Sequence, residues 1–162
     1  MILSAFTMFH VVLSLIGIGS GFVVLYGLLI LKRLDGWTMV FLTRTVPASV
    51  TGFLFPVHHF LPSHAVGILS LIALAIASLA RYRFQLAGLW RRTYLITAVI
   101  ALYFNVFVLI VQLFLKVPSL KEIVPTQSEP PFQMAQLAAL ILFGLLAARA
   151  AMKFDSEPPR TA

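Results

Sequence analysis

The sequence predicts an all-α integral membrane protein, a bundle of five transmembrane helices, and three observations carry that expectation. Hydrophobic residues fill 60% of the 162 positions and charged residues only 10%, whereas water-soluble domains run at about a quarter charged. The mean hydropathy is +1.00. The apolar residues also come in blocks close to the roughly 20 residues a helix needs to cross a bilayer, with basic clusters between them.

The first apolar segment covers about residues 3–31 and is ended by Lys32-Arg33-Leu34-Asp35-Gly36. No Lys or Arg precedes it, and the first positive charges follow it. That is the pattern of an uncleaved anchor rather than a signal peptide. The second segment covers about 37–56 and stops at Pro56. A loop with His58, His59 and His64 leads into the third, about 65–80. The fourth covers about 93–117 and the fifth about 132–152. Between these last two, residues 117–131 are too polar and proline-rich to cross lipid and are expected to form a short extramembrane connection. Residues 1–154 thus read as one transmembrane helical domain, and 155–162 as a disordered polar tail.

Charge sets the expected orientation. With the N-terminus outside and the C-terminus cytoplasmic, Lys32, Arg33, Arg44, Arg81, Arg83, Arg91, Arg92, Arg149, Lys153 and Arg160 fall on or toward the cytoplasmic side. Lys116 and Lys121 alone are left outside. The positive-inside rule favours that arrangement, and the opposite orientation inverts it. Trp37, Tyr82, Trp90 and Tyr94 cluster at the same ends, as an interfacial aromatic belt does. The second segment is the weakest, because it holds Arg44, Pro47 and several Thr and Ser residues. A re-entrant path is the alternative there, but it would put Arg81 to Arg92 on the wrong side.

Whole function classes drop out. The net charge of +7 lies in loop clusters with no aromatic-rich basic surface, so nucleic acid is not an expected partner. The absence of cysteine excludes disulfides, thiolate metal sites and thiol redox catalysis. The five acids, Asp35, Glu122, Glu129, Asp155 and Glu157, all lie in loops or the tail. No nucleophile, base and acid set appears, so an enzyme is not expected. A small-solute transporter is the least favoured reading, for want of internal repeats or an acid inside the bundle.

Polar residues line up on helix faces, since positions three or four apart share a side. His10, Ser14, Gly17 and Gly21 form one stripe in the first segment, and Gly17/Gly21 is a close-packing face for another helix, a homo-oligomer or a membrane-protein partner. Tyr94, Ala98, Ala101, Asn105 and Gln112 share a face of the fourth segment, and Gln133, Gln136, Leu140, Gly144 and Ala147 a face of the fifth. Amides in hydrocarbon need partners, so these faces are expected to point inward, where interhelical hydrogen bonding explains them without a ligand.

By depth, His10, Gln112, Gln133 and Gln136 join His58, His59 and His64 in the outer half of the bundle. His10, His58, His59, His64, Asn105, Gln112, Gln133 and Gln136 are therefore the candidate site. Neutral imidazole ligates haem iron and many metals, so one b-type haem or a quinone is one reading of this half. Ordinary interfacial histidines are the plainer one. Arg44 is the charge deepest in an apolar segment, about 10 Å from Trp37 by helical rise. It is a functional candidate by position, but snorkelling to inner-leaflet phosphates is the favoured expectation.

Several strings carry a resemblance: Phe9-His10, Lys32-Arg33-Leu34-Asp35-Gly36-Trp37, Ser49-Val50-Thr51-Gly52-Phe53, Ala101-Leu102-Tyr103-Phe104-Asn105-Val106-Phe107-Val108, and Pro125-Thr126-Gln127-Ser128-Glu129-Pro130-Pro131-Phe132. Together they resemble a group of small uncharacterised multi-pass membrane proteins of proteobacteria. The resemblance covers most of the chain, implies a bacterial inner membrane and carries no activity or cofactor. In that group the second segment is more apolar, so Arg44 departs from it. The expected function is that of a structural, interaction or accessory protein with a polar pocket in its outer half.

Overall fold

The structure is a computed structural model that describes residues 2–54 and 62–155. His58, His59 and the polar tail from Ser156 onward lie outside the described residues. Six helices are present among the described residues: α1 Ile2–Leu29, α2 Asp35–Gly52, α3 Pro62–Ser78, α4 Leu89–Lys116, α5 Pro118–Ile123 and α6 Pro130–Asp155. A π-helical turn, Leu79–Arg83, extends α3. Four helical spans are long and apolar enough to cross a membrane: Ala5–Leu29, His64–Arg83, Leu89–Lys116 and Pro130–Lys153. That is the construction of a multi-pass membrane protein. Their outward faces agree, with Phe9, Leu15, Phe22, Leu69, Ile72, Leu137, Leu142 and Leu145 all exposed, as side chains that meet lipid tails are.

The boundaries differ from the expected ones where local chemistry intervenes. The second segment is helical only to Gly52, not to Pro56, and Phe53 and Leu54 close it with turn bonds to the carbonyls of Val50 and Thr51. The third segment begins earlier and runs on to Arg83, because the π-helical turn carries the chain past Ala80. The loop at 117–131 contains α5, started by Pro118 at its first position, where a missing N–H does no harm.

α1 and α2 form an antiparallel hairpin. Along α1, His10, Gly17, Gly21 and Gly27 lie against Thr51, Thr45, Phe41 and Leu34 in turn. The rising and falling numbers run together over 17 residues of α1, about 25 Å of helix. Gly21 makes the closest approach: a Cβ there would lie 2.5 Å from Leu102 Cδ1 and 2.9 Å from Phe41 Cε2. The corner into α2 has Leu31 at φ 58°, with the Lys32 N–H donating to the Gly27 carbonyl at 2.9 Å. That left-handed residue with a bond five residues back is the Schellman end of a helix.

The hairpin packs on α3 and α4, and α6 lies mainly against α4. Small residues bring α3 and α4 together, with Ala73, Ala77 and Ala80 on one and Ala98 and Ala101 on the other all buried. Close backbone approach and dispersion hold helices together where lipid removes the hydrophobic drive. Larger side chains, Leu25, Phe41, Leu74 and Leu102, fill the centre. Phe143 on α6 joins the core with its ring 5.9 Å from those of Phe22 and Tyr103.

The α6 face departs from expectation. Gly144 and Leu140 are exposed, and Phe143 and Ala150 are buried instead. An amide-bearing stripe implied an inward side, but α6 has one principal neighbour, α4, and the bulkier stripe beside the amides fills that contact.

Candidate functional site

Contacts between helix ends define two poles. One holds His10, the end of α2 and the start of α3. The other holds the end of α1, the start of α2, the π-helical turn and the start of α4. The Lys153 Nζ donates to the Leu29 carbonyl at 2.9 Å, which places the end of α6 at this second pole.

At the histidine pole, His10 Nδ1 lies 2.8 Å from Thr51 Oγ1. The Thr51 hydroxyl donates its one proton to the Pro47 carbonyl at 2.7 Å, so the imidazole is the donor in the first bond. Nδ1 carries the hydrogen and Nε2 the lone pair. His64 approaches α2 elsewhere, its ring 5.6 Å from that of Phe53. Thr51 and Phe53 are two residues apart, about 200° around a helix, so His10 and His64 flank different sides of α2.

The amides close on nearby carbonyls. Asn105 Nδ2 donates to the Ala101 carbonyl of its own helix at 2.8 Å. Gln133 Nε2 donates to the Ser128 carbonyl at 2.8 Å, tying down the turn before α6. Gln136 Nε2 crosses to the Phe107 carbonyl of α4 at 3.2 Å, while its buried Oε1 has no partner among the described residues. Gln112, expected to face inward, is exposed. Glu129 folds over the same turn, accepting from the Thr126 hydroxyl and the Ser128 N–H. Desolvation pushes its carboxyl up, but the hydrogen bonds from Thr126 and the backbone outweigh this and hold it below the ordinary carboxylate value.

Among the described residues, the structure therefore joins His10 to α2 and Gln136 to α4. Among the described residues no group of three His, Asp or Glu side chains is placed to hold a metal ion. The Gly17/Gly21 face is filled within the chain by Thr45, Phe41 and Leu102. The Thr45 hydroxyl, buried beside Gly17, has no hydrogen-bond partner among the described residues.

Two hydroxyls of α2 are bonded locally. Thr43 donates to the Met39 carbonyl at 2.7 Å, as Thr51 does to that of Pro47, so these groups need no water. Arg44 is different. It stands midway along α2 on an exposed flank, and no hydrogen bond or ion pair reaches it among the described residues.

The basic pole contains the side-chain network that sequence reading did not find. Arg81 in the π-helical turn pairs with Asp35 at the start of α2. Its guanidinium also lies 5.6 Å from the Tyr94 ring centre and 5.9 Å from that of Tyr82. The Tyr94 hydroxyl donates to Thr38 Oγ1 at 3.4 Å. Stacking of Phe84 on Trp90, centroids 3.8 Å apart, closes the corner into α4.

Comparison with known proteins returns no matching family model, no matching curated protein and no matching solved structure.

Proposed function

We propose that this chain is a five-span protein of the bacterial inner membrane, N-terminus outside, that acts by association rather than catalysis. Its partner is a membrane protein that covers the Arg44 flank of α2. The antiparallel hairpin supports the fifth span, since α2 retraces most of the depth of α1. Alternating poles for α1, α2, α3, α4 and α6 then leave an odd number of crossings. The basic residues at the second pole favour that pole as cytoplasmic.

Arg44 carries the functional reading. An arginine at the centre of a spanning helix costs about 2.5–3.5 kcal/mol on insertion scales. The route down α2 to Asp35 is about 13 Å of helix and that to Gly52 about 12 Å, each longer than the side chain. This chain's acids all lie outside the spans or at their ends, so a second copy offers no carboxylate at that depth. A partner helix carrying one does.

A photo-crosslinking residue at Thr43, exposed beside Arg44, tests this in membranes of a bacterial host. The expected adduct is a membrane protein with Asp or Glu inside a span at the crosslinked position. Arg44→Glu should lower its yield about tenfold or more, equivalent to at least 1.4 kcal/mol, and exchanging the partner's acid for arginine should restore it. Adducts with lipid alone would mean that Arg44 snorkels, and would end the proposal.

One observation favours a second reading, a b-type haem or quinone held at His10. Its bond to Thr51 anchors one ring nitrogen on the protein, as the second nitrogen of an iron-ligating imidazole is anchored. Detergent-purified protein should then show a Soret band that sharpens with dithionite and vanishes in His10→Ala. A colourless preparation removes haem.

A further inference from the structure

The basic pole has a feature that orientation by loop charge does not require. Lys32 and Arg33 from the α1–α2 corner, Arg81 from the π-helical turn and Arg91 from α4 line one small pocket of about 40 Å³. Thr38 and Tyr94 add hydroxyls to its wall, and Leu28 and Leu86 supply an apolar side. No carboxylate lines it among the described residues. The nearby acid, Asp35, is already paired with Arg81.

Lys32 and Arg33 bring two exposed positive charges to the mouth of a space that no carboxylate lines among the described residues, an arrangement that a bound anion would offset. Arg81 is also preset. Its side chain is 12% exposed and held between Asp35 and the tyrosine rings, which lowers the entropy lost on binding. Lys32 and Arg33 are exposed at the mouth, free to close on a ligand.

We propose that this pocket binds an anionic phosphate group, with the hydroxyls accepting or donating at its polar side and the leucines contacting what the phosphate is attached to. Basic pockets between helix ends on the cytoplasmic side of membrane proteins are suited to phospholipid headgroups. The same chemistry takes a soluble phosphate, and the experiment separates the two.

Full-length protein in a neutral detergent, stripped of lipid, is titrated with phosphatidylglycerol, phosphatidylcholine, glycerol 1-phosphate and inorganic phosphate, with bound species read by native mass spectrometry. Phosphatidylglycerol should bind at least tenfold tighter than phosphatidylcholine. The triple variant Lys32→Gln, Arg33→Gln, Arg91→Gln should weaken it about thirtyfold or more. An equally charged change off the pocket, Arg83→Gln, Arg92→Gln, Arg149→Gln, should weaken it less than threefold. Equal loss in both triples would mean a diffuse basic belt and overturn the site. Should the pocket triple fail to fold, Arg33→Gln alone, at an exposed position, must still weaken binding severalfold or the proposal falls. Binding of glycerol 1-phosphate or inorganic phosphate as tight as that of the lipid assigns the pocket to a soluble phosphate. A requirement for acyl chains assigns it to a lipid.

Discussion

Gly21→Leu is expected to destabilise the bundle by about 3 kcal/mol, the upper range for overpacking a filled core. A first side-chain carbon at Gly21 would lie 2.5 Å from Leu102 Cδ1 and 2.9–3.0 Å from two atoms of the Phe41 ring. Neither neighbour has room to move, since Leu102 is 2% exposed and Phe41 1%. Leucine adds three more carbons, so α1 must separate from α2 and α4 together. The loss should appear as a fall in unfolding midpoint in detergent, under heat or increasing SDS. Gly144→Leu is the matched control: nothing lies within 4 Å of its virtual Cβ, and a better helix former there should leave the midpoint unchanged or raise it. Equal midpoints for Gly21→Leu and the native protein would remove the hairpin packing described above.

That contrast marks what could be read before any coordinates. The spacing of His10, Ser14, Gly17 and Gly21 identified a stripe of close approach, because small residues in a spanning helix have few other uses. The same argument left open what lies against it, and in the structure Thr45 and Phe41 of α2 meet Gly17 and Gly21. On α6, Gln133, Gln136 and Gly144 share a face by number, yet Gly144 turns outward. Periodicity groups residues on a side without saying which side meets a neighbour. A helix with one principal neighbour can satisfy its amides along the edge of that contact, as Gln136 does on Phe107.

α2 is not among the four helices long and apolar enough to cross a membrane, since Arg44, Pro47 and the threonines depress its apolarity, and only loop charge argues for a fifth span. Its pairing with α1 and the return of the Thr43 and Thr51 hydroxyls to carbonyls of their own helix are features the sequence pattern does not display. The basic pocket was not legible at all. Lys32, Arg33, Arg81 and Arg91 had already been accounted for as orienting charges, and their convergence depends on the π-helical turn. Among the histidines, the bond of His10 to a threonine 41 positions away lies beyond any local pattern.

The π-helical turn makes a second large effect predictable. Arg81→Ala should cost about 2–3 kcal/mol, and Asp35→Asn less, about 1 kcal/mol. The asymmetry follows from exposure: the Arg81 side chain is 12% exposed and that of Asp35 70%, so water replaces the arginine for Asp35 more readily than it replaces the carboxylate for Arg81. Removing Arg81 also loses two aromatic contacts, each worth about 0.5–1 kcal/mol, and the packing of its stem. Asp35→Asn removes a favourable charge from the first turn of α2 and leaves a mostly buried cation facing Lys32, Arg33 and Arg91. If that account is right, the two changes are not additive. In the double variant the loss should fall about 1 kcal/mol short of the sum, because the arginine whose partner was removed is itself gone. The measurement is a double-mutant cycle of unfolding midpoints in detergent at low and at high salt. Screening should shrink the Asp35→Asn effect and leave most of the Arg81→Ala effect, since the Tyr94 ring contact and the stem are buried. Additive losses, or an Arg81→Ala midpoint equal to the native one, would show that the turn is held by Phe84 on Trp90 alone. The pocket would then have to form without a fixed guanidinium.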